Sequence, residues 1–98
     1  MKVTITARKF KARDTLKEFI EGEIESLTKN NDDILDVEVV LSFQNALNSV
    51  KQAELLVKVP GQTLTAKDES DEFEKSVKIA IEKVIRQLQK LKDKRINH

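Results

Sequence analysis

Apolar residues in this chain recur with two different periods, and the order in which the periods alternate restricts the fold more than any other feature. Val3, Ile5 and Ala7 alternate with Lys2, Thr4 and Thr6, the repeat of two expected of a half-buried strand over Met1 to Ala7. Leu16, Phe19, Ile20, Ile24 and Leu27 then recur at helical spacing. That helix should begin near Asp14 or Thr15, where Thr15 and Glu18 have the separation of a capping box. Gly22 weakens it by about 1 kcal/mol relative to Ala. The polar run Asn30, Asn31, Asp32, Asp33 ends it. The repeat of two returns over Asp36 to Phe43 and over Lys51 to Val59, with Gln44 to Val50 as a loop between them. Pro60-Gly61 suits a type II turn into a fourth strand over Gln62 to Lys67. Phe73, Val77, Ala80, Ile81, Val84, Leu88 and Leu91 mark a long second helix from about Ser70 to Lys94. Its first turns would carry Asp68, Glu69, Asp71, Glu72 and Glu74, where the helix dipole favours anions. The order β-α-β-β-β-α predicts an α+β two-layer sandwich, two helices on one face of a four-stranded sheet, as a single domain over 1–98.

Composition removes several classes of function. No Cys is present, which excludes disulfides, thiolate metal sites and thiol catalysis and fits the cytoplasm. No apolar run approaches the roughly 18–20 residues of a membrane span, so no membrane is expected. The one His is His98 at the terminus, and neither a catalytic constellation nor a glycine-rich phosphate loop can be assembled. Asp32, Asp33 and Asp36 lack EF-hand spacing and read as solvated turn acids. No enzyme, metal, cofactor or small-molecule substrate is therefore expected.

Net charge is +1, so any case for an anionic partner rests on how the charge is distributed. From Lys83 to Arg95 six cations (Lys83, Arg86, Lys90, Lys92, Lys94, Arg95) face one acid, Asp93, a local charge of +5. At about 100° per residue Lys83, Arg86, Lys90 and Lys94 share a sector of about 80° and span about 16 Å. A rigid row of that length can meet several phosphates and release their counterions. The competing reading is an ordinary solvated face near a helix C-terminus, which welcomes cations. A second cluster, Arg8, Lys9, Lys11 and Arg13, surrounds Phe10 between the first strand and first helix. Phe10 is either a residue that stacks on a base or ribose or, more simply, a hydrophobic staple or core residue. The second cluster joins the first only if the fold brings them to one face.

Two segments carry a family resemblance. Asp14-Thr15-Leu16-Lys17-Glu18-Phe19-Ile20 resembles the opening of helix one in the short-form ribosome hibernation-promoting factor and ribosome-associated inhibitor family. Ala66 to Lys94, with Asp71, Phe73, Ala80, Ile81, Lys83, Arg86-Gln87-Leu88, Lys90, Lys92 and Lys94, resembles that family's acidic-aromatic start, apolar ladder, Arg-Gln-Leu core and lysine tail. The resemblance implies a double-stranded-RNA-binding-like fold. It also implies binding to the small ribosomal subunit and its rRNA, over the mRNA channel and tRNA sites, with inhibition of translation under stress. Lys83, Arg86, Lys90 and Lys94 would contact phosphates, Lys92 and Arg95 would extend the patch, and Arg8, Lys9 and Lys11 would flank it. Phe73 stands where the family commonly has Tyr, and Arg8 and Lys9 where a small or neutral residue is frequent. The chain stops at His98, so the C-terminal dimerisation domain of long forms is not expected. Two other readings are a basic module that binds an acidic regulator of transcription and a generic binder of double-stranded RNA.

Overall fold

A computed structural model describes residues 1–96, with side chains through Lys94. The elements run β1 (Lys2–Ala7), α1 (Asp14–Lys29), β2 (Asp36–Phe43), β3 (Lys51–Val59), β4 (Gln62–Ser70) and α2 (Phe73–Ile96). The strands form one sheet in the order β1-β2-β3-β4, with β1 parallel to β2 and the remaining pairs antiparallel. The expected α+β two-layer sandwich is the fold observed.

The alternation decides which face is covered. Val37, Val39 and Leu41 of β2, Ala53, Leu55, Val57 and Val59 of β3, and Leu64 and Ala66 of β4 all point to the helices and are buried. Ile20, Ile24 and Leu27 of α1 and Val77, Ala80, Val84 and Leu88 of α2 close over them. Each fully buried aliphatic side chain stabilises the fold by about 1.5–3 kcal/mol. At the turn between β3 and β4, Gly61 has φ 86°, close to what the second central position of a type II turn requires.

Three boundaries differ from expectation. β4 continues three residues past Lys67, because Asp68, Glu69 and Ser70 pair with Ala53, Gln52 and Lys51 in register. Asp68 and Glu69 therefore belong to the sheet and not to the first turns of a helix. α2 begins at Phe73, after Ser70 Oγ accepts the Glu72 amide at 3.2 Å. The fully buried Ser76 Oγ holds that corner, 2.8 Å from both Ser70 Oγ and the Lys51 carbonyl. At the other helix, Arg13 is the N-cap, in extended conformation and without a side-chain cap. The Lys17 amide donates to the Arg13 carbonyl at 3.0 Å, which puts Thr15 inside the helix. The Thr15–Glu18 capping box is not formed: buried Ala12 fixes the point of entry two residues too early for it.

Candidate nucleic-acid interface

α2 rests on β3 and β4 and touches α1 along one flank. Its apolar stripe is consumed by that packing, so its remaining faces are fixed as a β4 flank, a crest and an α1 flank. The cations chosen from the sequence are distributed over all three.

Arg86, Lys90 and Lys94 are exposed on the crest and form no ion pair among the described residues. They recur every four residues and cover about 12 Å of helix axis. Ile79, 38% exposed, lies in the same sector about two turns before Arg86. Glu82 and Asp93 border the row on the Arg86 side, about 40° and 20° away around the helix.

Lys83 belongs to the β4 flank. Its Nζ donates to the Lys67 carbonyl at 2.9 Å and lies 3.4 Å from Asp68 Oδ1. Gln87 Nε2 donates to the Thr65 carbonyl at 2.9 Å, one turn along the same flank. Sequence placed Lys83 in the phosphate-binding row, because an apolar alternation that stops at Ala66 gives no sign that Asp68 sits at the next helix-facing position of β4. Lys92 belongs to the α1 flank, where its Nζ donates to Asn31 Oδ1 at 3.1 Å, although the residue remains exposed. Lys78, on the same flank, pairs with Glu23 at 3.9 Å and stands 5.8 Å from the Phe19 ring centre. The side chain of Arg95 falls outside the described residues.

The second cluster does not join the first. Phe10 packs into an aromatic trio, its ring centre 4.8 Å from that of Phe43 and 5.2 Å from that of Phe73. This contact pins the loop to the N-terminal end of α2, about 25 Å along the helix from Lys90. Phe10 is thus a half-buried packing residue, and the exposed Arg8, Lys9 and Lys11 are arrayed around it. Lys9 is held at φ 63°. Lys51 joins them, which sequence reasoning missed: β2–β3 pairing puts it opposite Phe43, 6.0 Å from that ring centre, with Nζ donating to the Asp71 carbonyl at 3.0 Å.

Acids separate the two ends. Lys75 lies 3.2 Å from Asp71 and 3.4 Å from Glu72. The hydrogen bond from Lys75, reinforced by its charge, holds the Asp71 carboxyl below its ordinary value, and hydrogen bonds to Asp71 and Glu72 hold Lys75 above its own. The first two turns of α2 are thereby close to neutral, and free positive charge begins at Arg86.

Comparison with known proteins gives one answer from three directions. A ribosome hibernation promoting factor of Azotobacter vinelandii is 26% identical over 96 residues, covering 98% of this chain and 87% of that protein. A ribosomal subunit interface protein from Coxiella burnetii superposes with a TM-score of 0.85 at 26% identity, covering 95% of this chain and 99% of that one. The Protein Y N-terminal domain of Thermus thermophilus shares the fold, with a TM-score of 0.78 at 21% identity over 93% of this chain and 99% of that one. The sequence pattern of the Sigma 54 modulation protein / S30EA ribosomal protein family matches residues 3–96, and the chain belongs to that family.

Proposed function

We propose that this chain is a ribosome hibernation factor. As a single ribosome-binding domain it docks the crest of α2 on rRNA of the small subunit and inhibits translation by occupying the mRNA and tRNA sites. The action is steric: no bond is made or broken and no cofactor takes part. Its place of action is the cytoplasm. The observation that carries this reading is the row Arg86, Lys90 and Lys94, exposed and without ion pairs on a helix whose other faces are fastened to β4, the core and α1. The helix fixes the spacing of the row, so meeting a phosphate backbone costs side-chain freedom but no rearrangement of the main chain. Lys83 and Lys92 lie beside the row, each with a protein hydrogen bond to exchange for a phosphate. Arg8, Lys9 and Lys11 form a separate contact at the far end of the domain. The names of the Azotobacter and Coxiella relatives support the ribosome as the partner.

The family description also names sigma 54 modulation, which favours a second reading in which the same row binds an acidic protein regulating transcription. Sedimentation with isolated small subunits across a salt series separates them. Three phosphate contacts weaken binding about 20- to 40-fold between 50 and 200 mM salt. Charge reversal in R86E/K90E/K94E should abolish co-sedimentation while the far-UV circular dichroism stays unchanged. Equal affinity for any RNA duplex points to a general RNA binder instead. Absence of ribosome binding, with tight capture by an acidic protein, points to the second reading.

A further inference from the structure

β1 ends the sheet on one side, and its outer edge meets no other strand among the described residues. The direction of its free backbone groups follows from two hydrogen bonds. The Lys2 amide donates to Asp36 Oδ1 at 3.1 Å and the Arg8 amide to the Leu41 carbonyl at 2.9 Å, so even-numbered residues turn their backbone groups toward β2. Val3, Ile5 and Ala7 turn theirs outward.

The same odd-numbered residues point their side chains toward α1, which does not cover them fully. Met1, Val3, Ile5 and Ile24 floor an open groove of about 550 Å³, with Lys17, Glu21 and Glu25 along its helical wall. Met1 is 67% and Val3 38% exposed. An unpaired edge beside exposed apolar side chains is a template for another strand.

We infer that the occupant is a second copy of this chain, joined β1 to β1 in antiparallel fashion about a two-fold axis through Thr4. The register is selected by the sequence. With Thr4 opposite Thr4, Val3 meets Ile5 of the other copy, Lys2 meets Thr6, and Met1 meets Ala7. Apolar residues then share the helix-facing side, polar residues share the other, and the outward groups of Val3 and Ile5 form hydrogen-bonded pairs. A shift of one residue would mix the two faces. Charge follows the same symmetry. The α1 helices run antiparallel across the axis, which lets Lys17 of each copy reach Glu25 of the other, while the two Glu21 side chains lie near the axis. The axis is perpendicular to the sheet, so both α2 crests emerge on one side of an eight-stranded sheet, remote from the contact. One strand and one helix flank form a smaller interface than the ~1,600 Å² of a standard stable complex, so association belongs to high concentration.

Two measurements on the whole chain test this. Sedimentation equilibrium from about 10 μM to about 1 mM, the regime of interfaces below standard size, should show the average mass climbing from 11.2 kDa toward twice that value. K17E should shift the curve at least tenfold to higher concentration, and adding E25K should restore it. Cysteine cross-linking tests the register, because the chain has no Cys of its own. In the non-hydrogen-bonded Thr4 pair the Cα atoms lie about 4.5 Å apart, within reach of a disulfide. Lys2 and its symmetry mate are four positions apart, about 14 Å at ~3.4 Å per residue. T4C should therefore oxidise to a covalent dimer at least tenfold faster than K2C. A mass fixed at 11.2 kDa throughout, equal rates for T4C and K2C, or K17E without effect would each overturn the proposal.

Discussion

The two edges of the sheet are closed by different means. At the β4 edge α2 reaches over with polar side chains, and Lys83 and Gln87 cap the carbonyls of Lys67 and Thr65. At the β1 edge α1 leaves a groove, and the outward groups of Val3, Ile5 and Ala7 meet no other strand among the described residues. Both helices bury an apolar stripe, so the difference lies in their flanks. α2 turns Lys83 and Gln87 toward its edge, whereas α1 turns mostly carboxylates toward the groove, Glu21 and Glu25 beside Lys17, and a carboxylate cannot donate to a carbonyl. Edge protection also draws on the charge of the row, because a lysine that caps a strand and pairs with Asp68 would offer less free charge to the proposed RNA partner. The row of unpaired cations is correspondingly shorter than the four that share one helical sector.

The largest test of this contrast concerns how firmly the β1 side is packed. Ile20 and Ile24 are both buried under α1, but only Ile24 lines the groove. Ile20→Ala should cost about 3–4 kcal/mol in urea denaturation, and Ile24→Ala roughly 1 kcal/mol less, because neighbours beside a groove can relax into the space. Equal losses would mean that the groove is as rigid as the core. A smaller effect belongs to the β4 edge. Removing both donors in K83M/Q87L should lower stability by about 0.5–1 kcal/mol, since the freed carbonyls gain water in exchange. Hydrogen exchange should quicken near the C-terminal half of β4 and stay unchanged at β1.

The smallest effect marks a pair that ties α2 only to itself. Asp71 is held below its ordinary value chiefly by the hydrogen bond from Lys75, so its stabilising share is present above the ordinary carboxylate range and is lost as pH falls through the depressed value. Lys75 is raised, so its share is present below the ordinary amine range and is lost as pH rises through the raised value. Both groups are exposed. Urea midpoints of Asp71→Asn and the parent chain should differ slightly at neutral pH and converge in acid.

Much of this was legible from residue order. The repeat of two placed β1, β2 and β3 at their observed limits to within a residue, and the apolar ladder of α2 identified its buried face from Phe73 to Leu88, Ser76 apart. β4 was read three residues short because its inward positions turn polar at Asp68 and Ser70, where pairing with β3 and the approach of α2 take over from hydrophobicity. Phe10 had two readings from sequence, and only the convergence of Phe43 and Phe73 at one end of the sandwich selects between them. The sequence left open whether the basic loop joins the basic helix on one face, and the fold puts them at opposite ends of α2.

The sequence by itself determined the kind of object this is. Periodicity depends on which side chains avoid water, a property each residue carries with it, and it sets six elements, one covered face and a helix with a cationic crest. The tertiary structure alone decided which charges remain available. Whether Lys83 faces a phosphate or Asp68, and whether a strand edge is capped or open, depends on what lies across a gap of a few ångströms. That neighbour comes from 15 residues away in the chain, and no local pattern encodes it.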